Sequence, residues 1–140
     1  IKKYEDAIAQ NLPNSVCRSA FKFIYELVAR DKHQVFCHND LNLSNIMYSD
    51  DIFFIDWDYA GFNHPYFDLA LLFNAMNMTS NEEYNFLSIY ADQKNNIDHE
   101  LLKEYKQMSL YVEYLWIVAT SSQENPKYAT RFDELSTLLR

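Results

Sequence analysis

Between residues 14 and 31 the apolar side chains Val16, Ala20, Ile24, Leu27 and Val28 return every three or four positions. That spacing puts them on one face of an α-helix, and Pro13 with Asn14 or Ser15 supplies the start signal. The period then changes. Gln34 to Cys37, Asn45 to Tyr48 and Ile52 to Ile55 are short runs rich in Val, Ile, Phe and Tyr, with Ser49-Asp50-Asp51 between the last two. Such runs predict a short strand followed by a β-hairpin with a tight polar turn. After Gly61 and Pro65 the helical period returns and predicts helices over 66–77, 81–93, 98–122 and 127–139. The third carries a continuous stripe, Ile97, Leu101, Tyr105, Met108, Val112, Leu115 and Ala119, and Asp98 is its natural N-cap. The predicted fold is mainly α (α+β overall): a small β-hairpin platform packed on about five helices.

Composition narrows the class. With 140 residues, 49% of them hydrophobic and 16% aromatic, and only three Pro and one Gly, the chain is folded and spans one domain, 1–140, or one lobe of a larger one. The formal net charge is −8 and the twelve Lys and Arg are scattered, so there is no basic stripe to neutralise nucleic-acid phosphates, and nucleic acid is not an expected partner. An acidic chain is a reasonable host for a cationic substrate, although a surface charge of this size usually serves only solubility. Cys17 and Cys37 lie in apolar stretches without ligand spacing and read as small core hydrophobes, in keeping with a reducing cytoplasm. No run reaches the ~18 apolar residues of a membrane span, so membrane insertion is not expected. The chain opens on Ile1, with its Met residues at 47, 76, 78 and 108, and the expectation is that it begins partway through a longer polypeptide.

Chemistry concentrates between the first two predicted strands, in His38-Asn39-Asp40-Leu41-Asn42-Leu43-Ser44-Asn45, and at the end of the third, in Asp56-Trp57-Asp58-Tyr59-Ala60-Gly61. Asp40 and Asn45 share one loop, and Asp56 lies on a strand of the same hairpin, so the three can converge. Phosphoryl transfer from Mg-ATP needs a carboxylate to orient and deprotonate the acceptor hydroxyl, together with oxygen ligands for the metal. On that chemistry Asp40 is the base, and Asn45 and Asp56 are the metal ligands. Hard oxygen donors without paired His or Cys suit Mg²⁺.

His38-x-Asp40-x4-Asn45, followed by a hydrophobic strand ending in Ile55-Asp56-Trp57-Asp58-Tyr59, resembles the catalytic and metal motifs of the choline and ethanolamine kinases. These belong to the wider aminoglycoside-phosphotransferase-like kinase group. Val35-Phe36-Cys37 matches the family's flank before the His, and the resemblance extends over most of the chain from about Asn14. It implies a protein-kinase-like carboxy-terminal lobe, ATP as phosphoryl donor, Mg²⁺, and a small amino alcohol such as choline as acceptor. It makes Asp40 the catalytic base and Asn45 and Asp56 the Mg²⁺ ligands. Asp58 is implied as a nearby acid that helps hold metal or shapes the acceptor pocket. His38 braces the loop, and Asp68 supports it from the start of the following helix. Tyr59 stands where a family tyrosine lines the choline pocket. Where the family places two tryptophans three apart on a late helix, this chain has Glu113 and Trp116, both implied as acceptor-binding.

A complete kinase of this fold also has an amino-terminal sheet with a phosphate-covering loop and a strand lysine. Neither is found in these residues, so the expectation is an acceptor-side lobe, inactive or weakly active by itself, with exposed apolar surface where the other lobe would dock and a consequent tendency to self-associate. Two alternatives stand beside a choline-type acceptor. One is an aminoglycoside, thiamine or homoserine-like acceptor, and the other is a noncatalytic binding module.

Overall fold

Six α-helices and four three-residue strands follow one another in the described part of the chain, which in this computed structural model comprises residues 1–9, 15–91, 96–121 and 124–139. The elements are α1 (Lys2–Ala9), α2 (Ser15–Arg30), β1 (Val35–Cys37), a 3₁₀ turn (Leu43–Asn45), β2 (Ile46–Tyr48), β3 (Ile52–Phe54), β4 (Gly61–Asn63), α3 (Pro65–Met76), α4 (Ser80–Tyr90), α5 (His99–Ala119) and α6 (Pro126–Leu138). They form two compact units, residues 1–31 with 107–140, and residues 32–106.

In the first unit α2 buries Val16, Cys17, Ala20, Ile24 and Leu27, close to the expected stripe, while Val28 is left exposed. The helix starts at Ser15, and the Pro13 and Asn14 start signal lies outside the described residues. Helix α1 was not expected. Its eight residues are half charged, and isolated helices so short are marginal in water, so the local pattern carries little signal. Ile8 is buried, and Glu5 accepts a hydrogen bond from the Tyr25 hydroxyl at 2.7 Å. Tyr114 stacks on Phe132, ring centroids 5.4 Å apart, and both Leu115 and Leu135 are fully buried.

In the second unit the helix ends are written in side chains. His64 caps α3, its Nδ1 accepting from Tyr66 N at 3.1 Å, with Pro65 at the first helical position. Thr79 and Glu82 form a reciprocal capping box on α4, and Asp98 accepts from Leu101 N at 2.9 Å at the start of α5. Helix α5 begins in this unit, where it buries Leu102 and Tyr105, and continues in the first, where Met108, Ser109, Tyr114, Leu115 and Ile117 are buried. Leu101, Val112 and Ala119 are only half-buried, because the helix is covered on more than the one face that a single stripe implies.

One strand that was not expected, β4, matters for the site. β2 and β3 form the expected antiparallel hairpin, Ile46 opposite Phe54 and Tyr48 opposite Ile52. β1 does not join it. It pairs antiparallel with β4, Val35 opposite Asn63 and Cys37 opposite Gly61. β4 is Gly-Phe-Asn, a poor strand former by propensity, and exists because β1 offers it a ladder. The chain therefore interleaves two ribbons. The 38–45 loop leads from β1 to β2, and the 55–60 loop leads from β3 to β4.

Candidate active site

Asp40 is gripped by two amides of its own loop. Asn45 donates from Nδ2 to the Asp40 carbonyl and to its Oδ2, both at 2.9 Å. Asn42 donates to the Asp40 carbonyl at 3.2 Å and to Oδ1 at 3.3 Å. Each carboxylate oxygen thus has one amide donor and keeps acceptor capacity for another. Asn42 also caps the 3₁₀ turn, its Oδ1 accepting from Ser44 N at 2.9 Å. That turn tightens the loop and makes Asn45 a buried residue, and the strand expected to begin at Asn45 begins at Ile46 instead.

Asn45 is tied in turn to the second loop. Ile55 N donates to Asn45 O at 3.0 Å, which extends the hairpin ladder by one rung and places Asp56 one residue from that pair. His38 approaches the same peptide from the other loop. Its Nε2 meets Ile55 O at 2.9 Å, so Nε2 carries the proton and donates, while Nδ1 is buried without a partner. Asp56 itself has φ 61°, a left-handed conformation that costs an L-residue about 1–2 kcal/mol. The bonds from His38 and Asn45 on either side of the Ile55 unit, and the Trp57 indole N–H donating to Phe54 O at 2.9 Å, hold it there. Trp57 also packs 4.6 Å from the His38 ring.

The loop entrance is anchored by Asp68 on α3. Its Oδ2 accepts from His38 N at 2.7 Å and its Oδ1 from Asn39 N at 2.8 Å. Beside it lies the buried thiol of Cys37, which donates to Asn63 O at 3.4 Å. Burial foremost, and the negative charge of Asp68 after it, push the Cys37 thiol up to about 11. It stays protonated and takes no nucleophilic role.

Among the candidate residues, the structure thus brings together Asp40, Asn45, His38, Asp68 and the backbone of Asp56. Asp58 and Tyr59 sit two and three residues further on in a turn closed by Ala60 N donating to Trp57 O at 3.0 Å, and both are exposed. No hydrogen bond engages the Asp56 or Asp58 carboxylate among the described residues. Glu113 and Trp116 belong to the other unit. There Arg131 grips Glu113 with two bonds, Nε to Oε1 at 2.9 Å and Nη2 to Oε2 at 2.8 Å, and this pairing raises the Arg131 pKa. The Trp116 ring meets Tyr128 edge-on at 5.3 Å. Sequence reasoning gave no role to Asn39 or Asn42. Their density in the loop was a visible signal, but the partners of the Asn39 side chain, 20 to 24 residues away, were not.

The donor set suits a hard cation. Asn45 Oδ1 receives only a long 3.4 Å contact from Ser44 Oγ, and Asp56 and Asp58 add unengaged carboxylates. Among the described residues no group of three or more His, Cys, Asp or Glu forms a cage of its own. Mg²⁺ needs no such cage, because it is commonly held by one or two carboxylates and completes its shell with water and phosphate oxygens.

Mostly helical with two small antiparallel ribbons, the chain has the protein-kinase-like fold of the choline kinase structure that it matches. Residues 2–105 match the phosphotransferase enzyme family (APH), and the chain belongs to that family. Protein LicA of Haemophilus influenzae is 34% identical over 88 residues, which cover 57% of this chain and 33% of LicA. Ethanolamine kinase 1 of Mus musculus is 35% identical over 83 residues, 57% of this chain and 21% of that enzyme. Choline kinase LicA from Streptococcus pneumoniae superposes with TM-score 0.78 at 31% identity, over 99% of this chain and 52% of that one. A structure of LicA in complex with AMP gives 0.77 at 30% identity, over 99% and 51%. The chain spans a third or less of these two curated relatives and about half of the solved structures, where it matches a carboxy-terminal portion.

Proposed function

We propose that this chain supplies the acceptor-side lobe of an ATP- and Mg-dependent phosphotransferase that phosphorylates the hydroxyl of choline or a similar amino alcohol. The observation that carries the proposal is the chain of bonds from Asp40 through the Asn45 side chain to the Asn45–Ile55 backbone pair that sets Asp56. Relatives that are choline and ethanolamine kinases, and a LicA structure that holds AMP, support the acceptor class and the nucleotide. We place the enzyme in the cytoplasm, where ATP is available.

Asp40 is the base. Its carboxylate orients the acceptor hydroxyl and takes its proton as the new O–P bond forms and the bond from the γ-phosphorus to ADP breaks. Asn42 and Asn45 fix the carboxylate plane, so that no rotation is needed when substrate arrives. Asn45 and Asp56 would hold Mg²⁺, with Asp58 beside them, and the ion when bound neutralises charge on the phosphate oxygens. A quaternary ammonium has no hydrogen to donate and is bound by aromatic faces, worth ~0.5–2 kcal/mol each. Tyr59 is an exposed aromatic at the second loop, as is Trp57, and Tyr59, Glu113 and Trp116 are assigned to the acceptor by family resemblance.

The test is transfer of labelled γ-phosphate by the full-length native protein to choline, ethanolamine, an aminoglycoside, thiamine and homoserine, with and without Mg²⁺. We expect choline or ethanolamine to give the highest kcat/KM, and only with Mg²⁺. Preferential transfer to another acceptor overturns the substrate class, and transfer to none, with amino-alcohol binding retained, makes the protein a binding module.

A further inference from the structure

Asp58 and Tyr59 ride on a short turn with few bonds of its own, and beside the pairing of Gly61 with Cys37 its exit is tied to the Asp40 loop by the side chain of Asn39. Asn39 donates from Nδ2 to Tyr59 O at 3.1 Å and to Gly61 O at 3.3 Å. Its Oδ1 accepts from Asn63 Nδ2 at 2.9 Å, and Asn63 Oδ1 accepts from His64 N at 2.9 Å. These amides run in one sense, each oxygen facing a donor, so the nitrogen of Asn39 is left facing the two carbonyls. Asn39 N is bound by Asp68 at 2.8 Å, one residue before Asp40. The residue also has φ 63°, a conformation that Asn tolerates better than most. Gly61 does not shape the turn by lacking a side chain, since a Cβ there would meet Asn39 Nδ2 at an ordinary 3.7 Å and its φ is not positive.

We infer that Asn39 is a positioning residue that sets the Asp58–Tyr59 turn relative to the Asp40 loop, and so governs affinity for the acceptor more than for the nucleotide or the rate of transfer. This rests on the phosphotransferase reading above. Asn39→Asp keeps the length and the acceptor toward Asn63 but turns a carboxylate oxygen on two carbonyls. Asn39→Gly keeps the left-handed backbone and removes all three bonds. Both leave Asp40, Asn45 and Asp56 in place.

The experiment is steady-state kinetics of the full-length protein, with Asp40→Asn alongside. We expect either Asn39 variant to raise the KM for the amino alcohol roughly tenfold, a fraction of what two or three neutral hydrogen bonds are worth because the turn is displaced and not removed, with kcat and the KM for ATP within about threefold of wild type. Asn63→Ala, which frees the Asn39 amide without touching its backbone, should give a smaller split of the same kind and covers the case in which neither Asn39 variant folds. Parallel changes in all three parameters, or no change, overturn the inference while Asp40→Asn remains inactive. Activity in Asp40→Asn brings down the reading of the site itself, and this inference with it.

Discussion

Replacing Asp68 by Ala should destabilise this protein severely through two main-chain groups. The carboxylate accepts from His38 N at 2.7 Å and Asn39 N at 2.8 Å, and hydrogen bonds to a charged group contribute about 1.5–3 kcal/mol each. Asp68 is partly exposed, so the lower end applies to each bond, and water reaching the freed amides recovers part of the loss. The expected cost is about 2–3 kcal/mol, which for a chain of this length lowers Tm by roughly 6–12 °C. Urea melts should show a lower midpoint at unchanged slope. Asp68→Asn should be intermediate, because one amide oxygen replaces one acceptor while its NH₂ faces the other N–H. The second readout is Cys37. Losing the Asp68 charge should lower its thiol pKa without abolishing the elevation, since burial is the larger cause. A loss below about 0.5 kcal/mol in Asp68→Ala would refute the claim that this carboxylate holds the loop.

Two further outcomes follow from the same structure. The Phe36 ring packs against both Trp57 and Phe62, Phe53 and Phe54 lie in the adjoining hairpin, and all five are 48–74% exposed. They present roughly 400–700 Å² of apolar surface, so the 140-residue chain should self-associate in sedimentation velocity and Phe62→Glu should reduce it, whereas a monodisperse wild-type monomer contradicts this. Cys37 keeps its proton in the folded state up to about pH 11 but gives it up near pH 9 when unfolded. The folded form then binds more protons across that window, so stability falls as pH rises through it, and Cys37→Ala should show a shallower decline. An unchanged alkaline slope in that variant would be the contrary result.

The parts of this molecule that were legible in the sequence are those whose cause is local. Pro65 and Asp98 mark helix starts because capping is decided within three residues, and the α2 stripe is visible because burial follows the helical period. The strand–loop–strand frame around Asp40 could be read from the switch to β-branched and aromatic runs. β4 could not, because Gly61-Phe62-Asn63 is a strand only while Val35–Cys37 lies beside it. Helix α1 escaped for the matching reason, too few residues to show a period. Within the site, residue types pointed to Asp40, Asn45 and Asp56, but not to how they are held. The brace from His38 to Ile55 O, the grip of Asp68 on two amides and the span of Asn39 to Tyr59 cross 17 to 30 positions of chain. No periodicity records such bonds. The grip of Arg131 on Glu113 is equally silent in a composition of scattered charges.

The central claim is that Asp40 serves as the base of a phosphoryl transfer, and single-turnover transfer by the full-length protein carrying Asp40→Asn tests it most directly. Asn is the same size and keeps an oxygen toward Asn42 or Asn45, so folding and nucleotide binding should survive while the proton acceptor is lost. The account predicts a fall in the transfer rate of 10²- to 10⁴-fold, about 3–5 kcal/mol, at near wild-type affinity for ATP. A rate within tenfold of wild type would contradict it.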